Sequence, residues 1–168
     1  MKGKIAIIGA GITGLTLAQF LKSTFDVRLY EKSWRPGGRM STRHSDEFQF
    51  DHGTQYFTIR SSGFRNFLNK ALMDGIIRPW EARFMAFDGD NPLEYEKRQE
   101  VVYVGTPSMN SLCRYLARDL EVKCDTDVKN CRYVAEGWFL SFANGIEEGP
   151  FDLLISTIPA PQNDDLFA

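Results

Sequence analysis

The chain has 168 residues, 43% of them hydrophobic and 25% charged, as in one globular domain or a domain with a modest insertion. A formal net charge of −2 excludes a bulk basic field that would attract nucleic acid or acidic lipid. Cys113, Cys124 and Cys131 are odd in number and lack C-x-x-C spacing, so neither a disulfide framework nor a zinc site is signalled.

The first stretch predicts a strand–turn–helix–strand unit. Ile5, Ala6, Ile7 and Ile8 form the short apolar run of a strand buried on both faces of a parallel sheet. Gly9-Ala10-Gly11-Ile12-Thr13-Gly14 follows as G-x-G-x-x-G, and then a helix with Ile12, Leu15, Ala18 and Leu21 on one side. Val27 to Tyr30 predicts a second strand, closed by the acid Glu31. In this pattern Gly9 makes the tight turn, Gly11 lets backbone approach a pyrophosphate, and Gly14 lets the helix pack on the strand. The helix N-terminus offers N–H groups and a positive dipole end to phosphates, and Glu31 can accept from a ribose hydroxyl pair. A helix that merely packs tightly on a strand would use the same glycines. The strand before, the helix after and the acid at its distance favour a dinucleotide site.

The N-terminal apolar run is interrupted by glycines and by Thr13, Thr16 and Gln19, so it does not read as a signal peptide, and no stretch suits a bilayer span. A reduced cytoplasm is the simplest compartment. Directly after Glu31, Arg35, Arg39 and Arg43 surround Gly37-Gly38. Alone this reads equally as a solvated basic turn. At the exit of a parallel strand it reads as a second phosphate- or ring-facing loop with guanidinium countercharge.

Phe48 to Asp51 alternates like a strand broken at Gly53. His52 stands where an acid or base could act, although a histidine in a strand is more often structural. Ser61-Ser62-Gly63 opens a helix carrying Phe64, Phe67, Leu68, Ala71 and Leu72, and Gly75 ends it. Short strands are predicted over 76–80, 82–87, 93–97 and 101–104. Thr106 is expected to cap a further helix, with Pro107 at its first position and Met109, Leu112, Cys113, Leu116 and Leu120 as an apolar stripe. Residues 122–124 return to the main sheet. Residues 128–134 and 138–143 form a hairpin at Glu136-Gly137, with a second turn at Asn144-Gly145, and 151–158 is the last strand. An antiparallel meander thus stands where a crossover helix would stand in a nicotinamide-binding fold.

Gly9-x-Gly11-x-x-Gly14, Glu31 and Arg35-x-Gly37-Gly38-Arg39-x-x-Thr42 together resemble the FAD-binding signature of the flavin-containing amine oxidase superfamily. Asp51-His52-Gly53-Thr54-Gln55-Tyr56-Phe57 is similar to the next block of its renalase-like branch. The likeness continues through Gly105 to Met109 and through residues 151–162. It implies an α/β fold: a FAD-binding Rossmann-like domain of residues 1–60 and 121–162, with an antiparallel β-meander, carrying a partial α+β substrate-side subdomain over 61–120. FAD is the implied cofactor. Its implied contacts are Gly9, Gly11, Ile12, Thr13 and Gly14, then Glu31, Lys32, Gly37, Gly38, Arg39 and Met40. Gly53, Thr54, Gln55 and Tyr56 follow near the flavin ring, Val128 at the adenine, and Thr157 and Pro159 at the last strand exit.

No catalytic residue and no metal ligand is assigned. The resemblance implies a FAD-dependent oxidoreductase that takes a hydride from a dihydronicotinamide isomer or a small amine, with dioxygen as final acceptor and neither nucleic acid nor membrane as partner. Proteins it resembles are longer, so turnover by this chain alone is expected to be low, with a second copy or a complementing chain over uncovered sheet. A nucleotide-binding fragment without catalysis and an NAD(P)-dependent dehydrogenase are the alternatives; the dehydrogenase leaves Arg35 to Thr42 and the meander unexplained.

Overall fold

The computed structural model describes residues 2–81, 87–92 and 100–167. In chain order the elements are β1 (Lys4–Ile8), α1 (Ile12–Leu21), β2 (Asp26–Tyr30), β3 (Arg43–Ser45), β4 (Phe48–Phe50), β5 (Phe57–Thr58) and α2 (Ser62–Met73). Then come β6 (Ile77–Pro79), β7 (Phe87–Asp88), β8 (Asn91–Pro92), β9 (Val102–Gly105) and α3 (Ser111–Leu116). The last five are β10 (Glu121–Lys123), β11 (Val128–Val134), β12 (Gly137–Phe142), β13 (Glu147–Phe151) and β14 (Leu153–Ser156). The expected strand residues 82–86 and 93–97 lie outside the described residues. Among the described residues no helix is long and apolar enough to cross a membrane.

The chain divides into two compact units, residues 1–41 with 113–168, and residues 42–112. The second unit starts earlier than the 61 read from the sequence, because hydrogen bonds tie the start of this stretch to its end. Thr42 Oγ1 donates to Asp51 Oδ1 at 2.6 Å, Met109 N–H donates to the same oxygen at 3.1 Å, and Asn110 N–H donates to Thr42 Oγ1 at 3.3 Å.

The first unit is the α/β core. Its parallel sheet has the order β10-β2-β1-β14, with Ile5 opposite Val27 on one side and Leu153 on the other. Ile5 to Ile8 are all buried, as a central parallel strand requires. The meander β11-β12-β13 is antiparallel. Ala6, Ile8 and Tyr30 of the sheet share one apolar cluster with Val128, Cys131, Leu140, Phe142 and Phe151 of the meander. Tyr30 and Phe142 stack with ring centroids 5.4 Å apart, so aromatic packing adds to area burial here.

Two expected boundaries move. The run 151–158 splits: Phe151 ends the meander and Leu153 begins β14. At the corner Asp152 N–H donates to the Lys4 carbonyl at 2.9 Å, and Lys4 N–H donates to Asp152 Oδ2 at 2.6 Å. These bonds consume the backbone groups that a continuous strand would have paired. The helix expected from Thr106 begins instead at Ser111. Residues 106–110 fold back on Gly105, whose absent Cβ would lie 2.8 Å from Met109 Cα. Ser108 Oγ donates to Asn110 Oδ1 at 2.9 Å, and tertiary acceptors already hold the N–H groups of Met109 and Asn110.

A charged cluster joins β2, β10 and β13. Arg28 Nη1 lies 2.6 Å and Lys123 Nζ 2.8 Å from Glu148 Oε1. Partial burial alone would raise the Glu148 carboxyl, but the Lys123 ammonium and the Arg28 guanidinium outweigh it and hold it below the ordinary carboxylate range. A depressed folded-state value contributes stability above the unfolded value, lost as pH falls through the folded one. Glu148→Gln is therefore expected to lower the urea midpoint at pH 7 and to lower it by less near pH 3. A constant gap between the two proteins at both pH values would contradict this.

In the second unit β5-β9-β6 form an antiparallel sheet. Helix α2 is capped by Ser61, whose Oγ accepts from Phe64 N–H at 3.2 Å, and it ends at Gly75 with φ +70°. Leu68, Ala71, Ile77, Val102, Tyr103, Met109 and Leu112 are buried apolar residues of this unit.

Candidate dinucleotide site

Gly9 leaves β1 at φ +96°, a left-handed turn that few side chains tolerate. Its N–H donates to the Tyr30 carbonyl at 2.8 Å, which keeps the turn against the end of β2. Gly14 sits one helical turn on. A Cβ there would overlap the Gly9 carbonyl oxygen and lie 2.9 Å from Thr157 Oγ1. Gly9 and Gly14 are thus glycines because the protein's own atoms fill the space.

Gly11 differs. A Cβ on it would meet only the Gly38 Cα, at 3.9 Å. The protein's packing does not require glycine here, and a side chain would project into open space beside the end of α1. Gly11 is also the N-cap of α1, no side chain caps that end, and no acid stands in the first turn. An anion approaching these N–H groups meets the favourable pole of the helix. Ile12 is half-buried and Thr13 exposed at the same end.

The second glycine loop lies against the first. Gly37 N–H donates to the Ala10 carbonyl at 3.0 Å, and Gly11 and Gly37 form a parallel bridge. Gly38 has φ +54°, and a Cβ on it would lie 3.2 Å from the Gly11 Cα, so the two backbones need glycine on this side. Met40 is buried, while Arg39 and Lys32 are exposed and the Arg35 guanidinium stacks 4.3 Å above the Trp34 ring. Cys113, on α3, donates its S–H to the Gly37 carbonyl at 3.8 Å. Burial, helped by the Glu31 charge, pushes its thiol up to about 12, so it remains a protonated donor. Its apolar position is readable in the sequence, but its place under Gly37 is not.

Glu31 is buried, with both carboxylate oxygens in use. Oε2 accepts from Ala10 N–H at 2.9 Å and Oε1 from Ser33 N–H at 3.0 Å. A carboxylate has about four acceptor positions, so lone pairs remain for a ribose hydroxyl pair. Asp125 N–H donates to the Ser33 carbonyl and Thr126 N–H to the Glu31 carbonyl, fixing the loop after β10 beside this acid. Val128 starts β11 and is buried in the apolar cluster; Pro159 is exposed after β14.

Gly9, Gly11, Gly14, Glu31, Gly37, Gly38 and Thr157 therefore form one connected set in the first unit. Gly53, Thr54, Gln55 and Tyr56 belong to the second unit, on the connection between β4 and β5, where Gly53 and Gln55 are exposed. Among the described residues no group of histidine, cysteine and acidic side chains is placed to hold a metal.

Residues 7–71 match the family of NAD(P)-binding Rossmann-like domains. Renalase of Mus musculus is 27% identical over 171 residues, covering 95% of this chain and 48% of that protein. Coproporphyrinogen III oxidase of Staphylococcus aureus is 40% identical over 65 residues, covering 37% of this chain and 14% of that one. The chain thus spans about half the length of that renalase and less of the oxidase. Among solved structures, a CLA-producing fatty acid isomerase from P. acnes superposes with TM-score 0.79 at 11% identity, covering 98% of this chain and 61% of that one. The parallel sheet, the glycine turn with its acid, and these matches agree on an α/β fold with a Rossmann-like parallel sheet, in which residues 7–71 resemble an NAD(P)-binding Rossmann-like domain.

Proposed function

We propose that the domain binds FAD tightly and serves a FAD-dependent oxidoreductase of the renalase-like kind. The observation that carries this reading is the open space at Gly11, framed by the uncapped end of α1, by Glu31 and by the second glycine loop. The first turn with its acid suits an adenosine diphosphate. The loop Gly37-Gly38-Arg39 adds a second backbone surface and a fixed positive charge, which suits a longer dinucleotide. The renalase-like kind is proposed because the likeness to that protein, at 27% identity, runs over 95% of this chain.

Within this reading each group has a task. Gly11 admits the pyrophosphate, and the N–H groups at the start of α1 receive it. Glu31 orients the ribose through its remaining lone pairs. Arg39 holds charge without exchanging a proton, since a guanidinium stays protonated. Lys32 and Met40 flank these groups in sequence, Val128 starts β11, and Pro159 follows β14. Gly53 to Tyr56 are the proposed ring-side contacts. The chemistry that FAD supplies when bound is acceptance of a hydride from a dihydronicotinamide isomer or a small amine, with dioxygen as final acceptor.

The test is the absorbance spectrum of the purified protein, followed by heat release and chromatographic identification of the nucleotide. FAD at near one equivalent, retained through gel filtration, is expected. Released NAD(P) with no flavin would replace the reading by that of a nicotinamide-dependent dehydrogenase. FMN would remove the role assigned to Glu31.

A further inference from the structure

The peptide unit between Gly9 and Ala10 is held at both poles. Its N–H donates to Glu31 Oε2 at 2.9 Å. Its carbonyl accepts from Thr157 Oγ1 at 3.1 Å, and the same hydroxyl lies 2.9 Å from the Ile8 carbonyl. One hydroxyl proton thus serves two adjacent acceptors, while Thr157 N–H also donates to the Ile8 carbonyl at 2.9 Å. In a planar trans peptide the C=O and N–H point in opposite directions. Fixing one pole therefore fixes the other, and with it the direction of the next residue, Gly11. The hydroxyl also fills the space that a Cβ on Gly9 or on Gly14 would enter, at 2.9 Å in both cases.

We infer that Thr157 is a positioning residue for the dinucleotide turn, setting the Gly9–Ala10 peptide against Glu31 so that the Gly11 backbone meets phosphate. The inference rests on the reading of this turn as a dinucleotide site and adds a residue that acts through the turn. A glycine turn at φ +96° is inherently free to rotate, because glycine lacks the side chain that would restrict it. The hydroxyl supplies the restriction from the far end of the chain. Pre-setting the turn before the ligand arrives lowers the ordering cost of binding.

The experiment uses the full chain, freed of any nucleotide it retains, and ADP as probe, with affinity measured by isothermal titration well below each protein's melting temperature. Thr157→Ser keeps the hydroxyl and is expected to bind ADP within about threefold of wild type. Thr157→Val keeps the shape without the donor and is expected to bind roughly tenfold more weakly, the effect of one hydrogen bond lost. Thr157→Ala is expected to fall with Val, and it decides the matter if the Val protein does not fold. Wild-type affinity in the Val or Ala protein overturns the inference, as does a Ser protein as weak as Ala. If wild type itself does not bind ADP, the dinucleotide reading fails and this inference with it. ADP binding that is indifferent to the Thr157 variants sinks this inference alone.

Discussion

Gly14→Ala is expected to destabilise the domain by about 3 kcal/mol or more, at the upper end of the range for overpacking. The added methyl would overlap the Gly9 carbonyl oxygen and press on Thr157 Oγ1. Neither neighbour is the free end of a flexible side chain: one is backbone, and the other is pinned by its bonds to Ile8 and Gly9. Relief would need α1 to move away from β1, uncovering Leu15 and Ala18, which are fully buried. A lower urea midpoint with unchanged slope is the signature to look for. Gly11→Val is the partner experiment with the opposite signature. Its side chain enters open space, so the urea midpoint should stay near wild type while FAD retention is lost. A Gly11→Val protein that is folded and holds flavin at the wild-type level would refute the assignment of the pyrophosphate.

Glu31→Ala is expected to cost both stability and affinity. Two backbone N–H groups, of Ala10 and Ser33, lose an ionised acceptor, and such bonds contribute about 1.5–3 kcal/mol each. Ala10 is fully buried, so little solvent stands by to replace the carboxylate. Glu31→Gln should fall between wild type and Glu31→Ala, because a carboxamide keeps one oxygen acceptor but turns an NH2 toward the other N–H. Unfolding curves of the ligand-free proteins separate the stability effect from the binding effect. A ligand-free Glu31→Ala protein as stable as wild type would show that the two N–H groups find other acceptors, and the clamp would lose its meaning.

How much of this was readable in advance depends on the distance over which each cause acts. The run Ile5 to Ile8 and the glycines at 9, 11 and 14 declare themselves locally, since burial on both faces and a left-handed turn are imposed on the residues concerned. The hairpin at Gly137 is equally local, with a φ of +129° at the glycine. The start of α3 differs from the sequence expectation for the opposite reason. Thr106-Pro107 is good helix-opening chemistry by itself, but Asp51, far away in sequence, takes the Met109 N–H. The corner at Asp152 depends likewise on Lys4. At the site, the sequence offers Glu31 as a ribose acceptor. That the same carboxylate binds Ala10 and Ser33 follows only from the fold.

The pairing of β1 with β14 joins residues separated by nearly the whole chain, from Ile5 opposite Leu153 to Ile8 opposite Ser156. Contacts this far apart in sequence place the domain among slow-forming topologies. On a ribosome the glycine turn emerges early and Thr157 late, on the order of ten seconds afterwards at ordinary rates of synthesis. Throughout that interval the turn has no strand beside β1 on that side and no hydroxyl on the Gly9 carbonyl. Until Thr157 has emerged, a nascent chain therefore carries the glycine fingerprint without its geometry.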